Sequence, residues 1–185
     1  MNMEEQALRF ASNAHAHQTR KYTLENYIVH PIAVAKIVSC VPHTTEMIQA
    51  SYLHDVVEDC GVEIKTIRDL FGPKVALLVS QLTDVSKPSD GNRRVRKEID
   101  RQHTADAIPE AKTIKLADLI DNTKSITLYD PDFARVYLEE KQELLKVLKE
   151  GDSTLWKAAH KQCHEAIMNN RLLFLERKHG ENKRS

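Results

Sequence analysis

Apolar residues recur at three- and four-residue spacing along most of the chain, the pattern of helices that pack on one another. Ala7, Leu8, Phe10, Ala11 and Ala14 line one side of residues 3–18. A polar loop follows at 19–26, and then Tyr27-Ile28-Val29-His30-Pro31. Proline suits the first turn of a helix, so Pro31 is expected to open a helix over 32–41, with Ile32, Ala33, Ala35, Ile37 and Val38 as its apolar positions. That places His30 at or just before a helix N-terminus. Thr44 or Thr45 can cap the next helix, with Glu46 in its first turn. There Met47, Ala50, Leu53 and Val57 form one apolar arc that runs on to residue 60. Further helices are expected over 63–71 and 74–83, on either side of Gly72-Pro73, then over 93–101 and 110–127. Two more run from 131 to about 149 and from 154 to about 177. Residues 84–92, with Pro88 and Gly91, read as the main loop. No segment alternates with period two, and none repeats. The pattern predicts an all-α bundle of about eight to ten helices, one domain over 1–178 with a frayed polar tail at 179–185.

Composition narrows the class of partner. The 185 residues hold 27 Lys+Arg and 27 Asp+Glu. Global charge therefore favours neither nucleic acid nor a membrane surface, and an anionic ligand must meet a local basic cluster. No stretch approaches the ~20 apolar residues of a membrane span, and the first residues lack a basic-then-apolar leader. Three widely separated cysteines without a Cys-x-x-Cys exclude a disulfide framework and fit a reducing cytoplasm.

Candidate chemistry begins at Leu53-His54-Asp55-Val56-Val57-Glu58-Asp59. On a continuous helix His54 and Glu58 share one edge of the apolar arc, and Asp55 and Asp59 form the next stripe. Four ionisable groups half-facing a buried stripe are costly to desolvate unless something pairs with them. Imidazole beside carboxylate is a first-row metal donor set. Within 110–127, Lys115, Asp118 and Asn122 share one polar strip on an otherwise apolar helix, which should face a wet or metal-filled interior. His30, His54, Asp55 and Asp118 thus offer two nitrogens and two carboxylates, with positions left for water and substrate. A divalent ion lowers the pKa of water from ~15.7 towards ~7 and polarises a phosphoryl oxygen. Glu58 can receive the proton, and Asp59 can orient water or protonate the leaving group. Cations for an anionic substrate are available in Arg20, Lys21, Lys87, the basic segment 93–101, Lys112, Lys115 and Lys124. A rival pair, His160 and His164 around Cys163, lacks a third ligand cluster and reads as an exposed helical face. His15 and His17, two apart, diverge on a helix.

These motifs in order, with Leu82-Thr83-Asp84 and Lys115-Leu116-Ala117-Asp118 followed by Asn122, resemble the HD-domain hydrolases of the RelA/SpoT alarmone family over residues 10–127. The resemblance implies that His30, His54, Asp55 and Asp118 hold one Mn²⁺ and that Glu58 and Asp59 are the acidic pair beside it. It implies that Asn122 helps to fix the substrate and that Arg20 and Lys21 embrace the nucleotide base. Thr83, Lys87 and Tyr137 sit where the family places phosphate or base contacts. The family's synthetase and regulatory domains have no room here. The implied activity is removal of the 3′-diphosphate from guanosine 3′,5′-bis(diphosphate) or its adenosine analogue.

Two departures bear on this. Tyr22-Thr23-Leu24-Glu25-Asn26 is one residue longer than the family's loop, which leaves the choice between guanosine and adenosine open. Leu119-Ile120-Asp121-Asn122 stands where many members carry Arg-Leu-His-Asn. Two other readings remain at this level: the same fold acting on another nucleotide or a phosphorylated dinucleotide cofactor, and a non-catalytic nucleotide-binding module. The intact six-residue set argues against the last.

Overall fold

A computed structural model describes residues 2–181, with side chains through Arg171. Among the described residues are ten α-helices and one 3₁₀ turn, with no strand and one isolated bridge between Thr19 and Asn26. The helices are α1 (Met3–Ala14), α2 (Val29–Val38), α3 (Thr45–Leu53), α4 (Val56–Cys60) and α5 (Ile64–Phe71). They continue with α6 (Pro73–Leu82), α7 (Arg93–Ala105), α8 (Pro109–Tyr129), α9 (Pro131–Val147) and α10 (Ser153–Glu181). The all-α expectation is borne out. No described helix is long and apolar enough to cross a membrane. The end of the tail, 182–185, lies outside the described residues.

Short polar residues set the starts. Asn2 and Glu5 form a reciprocal capping box on α1, and Thr44 rather than Thr45 caps α3. Asn92 caps α7, Asp130 caps α9 and Asp152 caps α10 through bonds to their backbone N–H groups.

α8 is the centre of the bundle and packs against α2, α3, α6, α9 and α10. Its buried positions lie almost all round: Ala111, Ile114, Leu116, Ala117 and Leu119, but also Lys112, Thr113, Asp118 and Thr123. From Ala111 to Leu119 the helix has almost no solvated face, so the buried polar groups there must find partners inside. The turn into α10 approaches α8 closely. A Cβ on Gly151 would lie 2.9 Å from Leu116 Cδ1 and 3.0 Å from the backbone of Lys112.

The first two helices differ from expectation. α1 ends at Ala14, not near residue 18. α2 begins at Val29, so His30 lies in its first turn and Pro31, whose missing N–H costs nothing there, follows it. Ile32 is exposed, not inward.

The helix expected to run through residue 60 is broken at His54-Asp55. The His54 ring lies with Nδ1 2.9 Å from the Ser51 carbonyl oxygen, a group that the next helical turn would otherwise use. After the break the helix restarts in a new frame. Val56 becomes fully buried, and Val57, the expected member of the arc, is only partly so.

Candidate metal centre and active site

Three elements bring four side chains to one point. α2 supplies His30, the α3–α4 break supplies His54 and Asp55, and α8 supplies Asp118. His30 Nε2 lies 3.2 Å from Asp118 Oδ1 and 3.8 Å from Asp55 Oδ2. His54 Nε2 lies 3.0 Å from Asp55 Oδ2 and 4.0 Å from Asp118 Oδ1. Among the described residues, the group of His, Cys, Asp and Glu placed to share an ion is His30, His54 and Asp55, with donor atoms within 4.8 Å of one another. His160, the rival, stacks on Trp156 instead, with ring centroids 4.9 Å apart.

The donor atoms fit a divalent ion. His54 Nε2 is buried and, although close to Asp55, makes no well-directed hydrogen bond. That is an expensive state for a ring nitrogen unless a cation takes its lone pair. Each histidine has its other nitrogen held from behind, His30 Nδ1 by Asp121 Oδ2 at 2.8 Å and His54 Nδ1 by the Ser51 carbonyl. Such partners fix the tautomer and turn Nε2 inward. Tyr27 donates its hydroxyl to Asp55 Oδ2 at 2.7 Å and orients that carboxylate.

The electrostatics carry the same mark. Burial alone would lower the His30 pKa, but Asp118, Asp121 and Asp55 together raise it to about 9. His54 is likewise raised, its burial outweighed by Asp55 and Asp118. Asp55 and Asp118 are held below the carboxylate range against their burial, the first mainly by His54 and the second mainly by Lys115. The carboxylates crowded round the two imidazoles favour positive charge at this point, and a bound cation would compete with protons for the two Nε2 atoms.

Glu58 and Asp59 lie beside this cluster on α4 but do not follow the wheel. The break turns Glu58 away from His54, and its Oε2 accepts a bond from the Asp84 N–H at 3.2 Å. Burial and the neighbouring Asp84 raise its carboxyl pKa. Burial and Asp55 raise Asp59.

Lys115 reaches Asp118 Oδ2 at 3.0 Å, and Asn122 donates to Asp118 Oδ1 at 2.6 Å. Lys115, Asp118, Asn122, Glu58, Asp84 and Tyr137 line a cleft of about 750 Å³ that reaches along α7 and α9.

Some expected groups are elsewhere. Thr83 donates its hydroxyl to Val79 O within α6, and Lys87 is exposed outside the cleft. Lys112 is buried and does not line the cleft, bonded instead to Glu150 and to Ala105 O. On α7, Arg93 is bound by Glu140 at 2.6 and 2.8 Å, and Lys97 by Asp84 at 2.7 Å, so much of the expected cation supply is already neutralised. Arg20 packs on α8, where it donates to Asn122 Oδ1 (3.3 Å) and Ser125 Oγ (3.2 Å). Lys21 reaches Asp130 at 3.3 Å. The contacts of Asp84 with Glu58, of Asp121 with His30 and of the Tyr27 hydroxyl with Asp55 are not among the expected ones. Asp121 carries a faint sequence signal, since it lies three residues after Asp118, one helical turn along.

A family model described as HD domain matches residues 7–146. The chain belongs to the HD-domain family. Among its relatives is guanosine-3′,5′-bis(diphosphate) 3′-pyrophosphohydrolase MESH1 of Drosophila melanogaster, 34% identical over 68% of this chain and 70% of the relative. A probable guanosine-3′,5′-bis(diphosphate) 3′-pyrophosphohydrolase of Synechocystis is also 34% identical, and there the match spans 77% of this chain but 19% of the relative. A solved structure, described as a metazoan ortholog of SpoT that hydrolyzes ppGpp and plays a role in starvation responses, superimposes with a TM-score of 0.79 at 27% identity. That superposition covers 89% of this chain and 96% of the other. The resemblance to the alarmone hydrolases drawn from the motifs is thereby borne out. The chain departs from the expected helical wheel at the doublet itself, where the helix breaks at His54-Asp55, between α3 and the acidic pair on α4.

Proposed function

We propose that the chain is a divalent-metal-dependent pyrophosphohydrolase. It removes the 3′-diphosphate from guanosine 3′,5′-bis(diphosphate), or from the adenosine analogue, and releases pyrophosphate. The observation that carries this reading is the convergence of His30, His54, Asp55 and Asp118 around a buried ring nitrogen without a hydrogen bond, with Asp55 and Asp118 lining a cleft large enough for a nucleotide. The names of the relatives support the substrate class.

His30, His54, Asp55 and Asp118 would hold the ion, with manganese the expected metal. When bound, such an ion acidifies water and polarises a phosphoryl oxygen. Glu58 lines the cleft with a carboxyl whose raised pKa suits it to take a proton from water and pass it on. Asp59 sits next to it and orients the pair; the two titrate with Asp55 as a set. Lys115 and Asn122 hold Asp118 in place, and Lys115 lends positive charge to the substrate side of the cleft. Arg20 and Lys21 are the groups that meet the nucleotide from the 19–26 loop, and Tyr137 lines its path. The work takes place in a reducing cytoplasm.

The test is pyrophosphate release by the purified protein with Mn²⁺ on both alarmones, beside Asp118→Ala. Release by the wild-type protein, falling by at least about 10³-fold in the variant together with loss of bound Mn²⁺, is expected. A protein that retains Mn²⁺ and hydrolyses neither alarmone overturns the assignment.

A further inference from the structure

The two histidines of the centre are not held alike. Behind His54 is a neutral acceptor, the Ser51 carbonyl, at 2.9 Å. Behind His30 is a carboxylate, Asp121 Oδ2, at 2.8 Å. A carboxylate behind an imidazole makes the opposite nitrogen a stronger electron-pair donor than a carbonyl does.

Asp121 also has a second neighbour. Arg20 NH2 lies 3.7 Å from the same Oδ2 atom, beyond hydrogen-bond length, and the Arg20 side chain is only 14% exposed. The short bond therefore goes to the histidine and the looser contact to the guanidinium. Arg20 meets the centre by another branch as well, through Asn122 Oδ1 at 3.3 Å, with the Asn122 amide in turn on Asp118 Oδ1 at 2.6 Å. One guanidinium thus reaches two of the four candidate ligands through a single turn of α8. It is carried by the 19–26 segment, which is tied by the Thr19–Asn26 bridge and holds Leu24 at φ 60.

We propose that Asp121 is a positioning residue for His30 and that Arg20 sets how strongly it acts, so that grip on the nucleotide and grip on the metal are coupled. The proposal rests on the reading of His30 as a metal ligand. While Arg20 lies on α8, its charge offsets part of the Asp121 carboxylate. When an anionic ligand draws Arg20 away, His30 feels the whole carboxylate and holds a cation more tightly. Coupling of this kind is reciprocal, so a bound cation in turn favours release of Arg20 towards the ligand.

The experiment is a Mn²⁺ titration read by the EPR signal of the free ion, with no nucleotide present. It uses the wild type, Asp121→Asn, Arg20→Ala and the double variant. Asparagine keeps the shape and the acceptor but loses the charge, and Asp121→Asn is expected to bind Mn²⁺ about 10-fold to 100-fold more weakly. Arg20→Ala is expected to bind Mn²⁺ more tightly, by about fivefold. In the double variant that gain should vanish, because its path has been removed. A purely structural role for the Arg20–Asp121 contact predicts weaker binding in both single variants.

Unchanged affinity in Asp121→Asn overturns the proposal alone, as does an equal gain from Arg20→Ala in both backgrounds. If Asp121→Asn does not fold, Arg20→Ala decides: tighter Mn²⁺ binding supports the coupling and weaker binding overturns it. Absence of Mn²⁺ binding by the wild type would overturn the metal reading itself, and the coupling with it.

Discussion

Two of the lysines that line the cleft, Lys115 on α8 and Lys141 on α9, are both buried and end with opposite shifts. Lys115 lies among Asp118, Asp84 and Asp55, and although burial pulls its pKa down, those carboxylates raise it above the ordinary lysine range. Lys141, on α9, is 1% exposed and bonded to Thr123 Oγ1 at 2.7 Å, Gln162 Oε1 at 2.9 Å and Leu119 O at 3.4 Å. None of these partners is charged, and its pKa falls to about 8, chiefly from burial. The same side chain is thus a fixed cation on one side of the helix and a group that surrenders its proton near neutrality on the other. Local charge, not depth, decides which.

The largest effect is expected at Glu58, whose carboxyl pKa is raised by burial and by Asp84. Glu58→Gln keeps the shape of the side chain and removes its capacity to take a proton. Turnover should fall by about 10²- to 10⁴-fold while Mn²⁺ stoichiometry, measured by metal analysis, stays at the wild-type value. Equal loss of metal would place Glu58 among the ligands.

Lys115→Met takes from Asp118 its 3.0 Å ion pair and leaves Asp84 with Lys97 alone. Urea unfolding in EDTA should show a loss of about 3 kcal/mol. With Mn²⁺ present the loss should shrink, because the ion takes over the neutralising role.

Lys141→Met should behave in the opposite way, with stability at pH 7 within about 2 kcal/mol of wild type. The sharper reading comes from pH. Below pH 8 the lysine is protonated both folded and unfolded, and the folded state bears the full cost of burying the charge. Between about 8 and the ordinary 10.5 the unfolded chain binds more protons than the folded one, so wild-type stability rises with pH. The gain from this group is on the order of 3 kcal/mol. Lys141→Met should lack that rise. Denaturant melts at several pH values would measure it, and parallel curves for the two proteins would remove Lys141 from the account.

The smallest effect belongs to Gly61, which closes α4 in the left-handed conformation at φ 68 with open space where a Cβ would point. Gly61→Ala should cost about 1 kcal/mol from backbone conformation alone. It should lower turnover more than Mn²⁺ affinity, since α4 carries Glu58 and Asp59 and neither of the histidines.

The parts of this architecture that are legible in the sequence are those written in short offsets. Asn122 meets Asp118 because they are four apart on one helix, and Lys115 meets it because it is three before. His30 can be placed near a helix start because Pro31 follows it. What sequence does not supply are partners chosen by tertiary packing. Asp121 meets His30 across 91 positions and Arg93 meets Glu140 across 47, and no periodicity announces either pair. Thr83 turns its hydroxyl back on Val79, and Lys87 stands exposed in the loop after α6, where no helical offset fixes its direction. Lys141 has no signal at all, since on a wheel it looks like any charged residue of a solvated face. The break at His54-Asp55 is hidden for a subtler reason: the apolar spacing is nearly the same whether the helix runs on or restarts one residue later.

That break has a consequence for how such a protein can change. A continuous helix would tie Glu58 and Asp59 rigidly to the angle of His54, and any adjustment of one would tilt the other. With a joint at His54-Asp55, α4 can be re-aimed by substitutions in its own five residues, or in the αL turn at Gly61, while α3 keeps its seat against α1, α2 and α8. The acidic pair of α4 can therefore be re-aimed by small steps, each of which leaves His30, His54, Asp55 and Asp118 where they are.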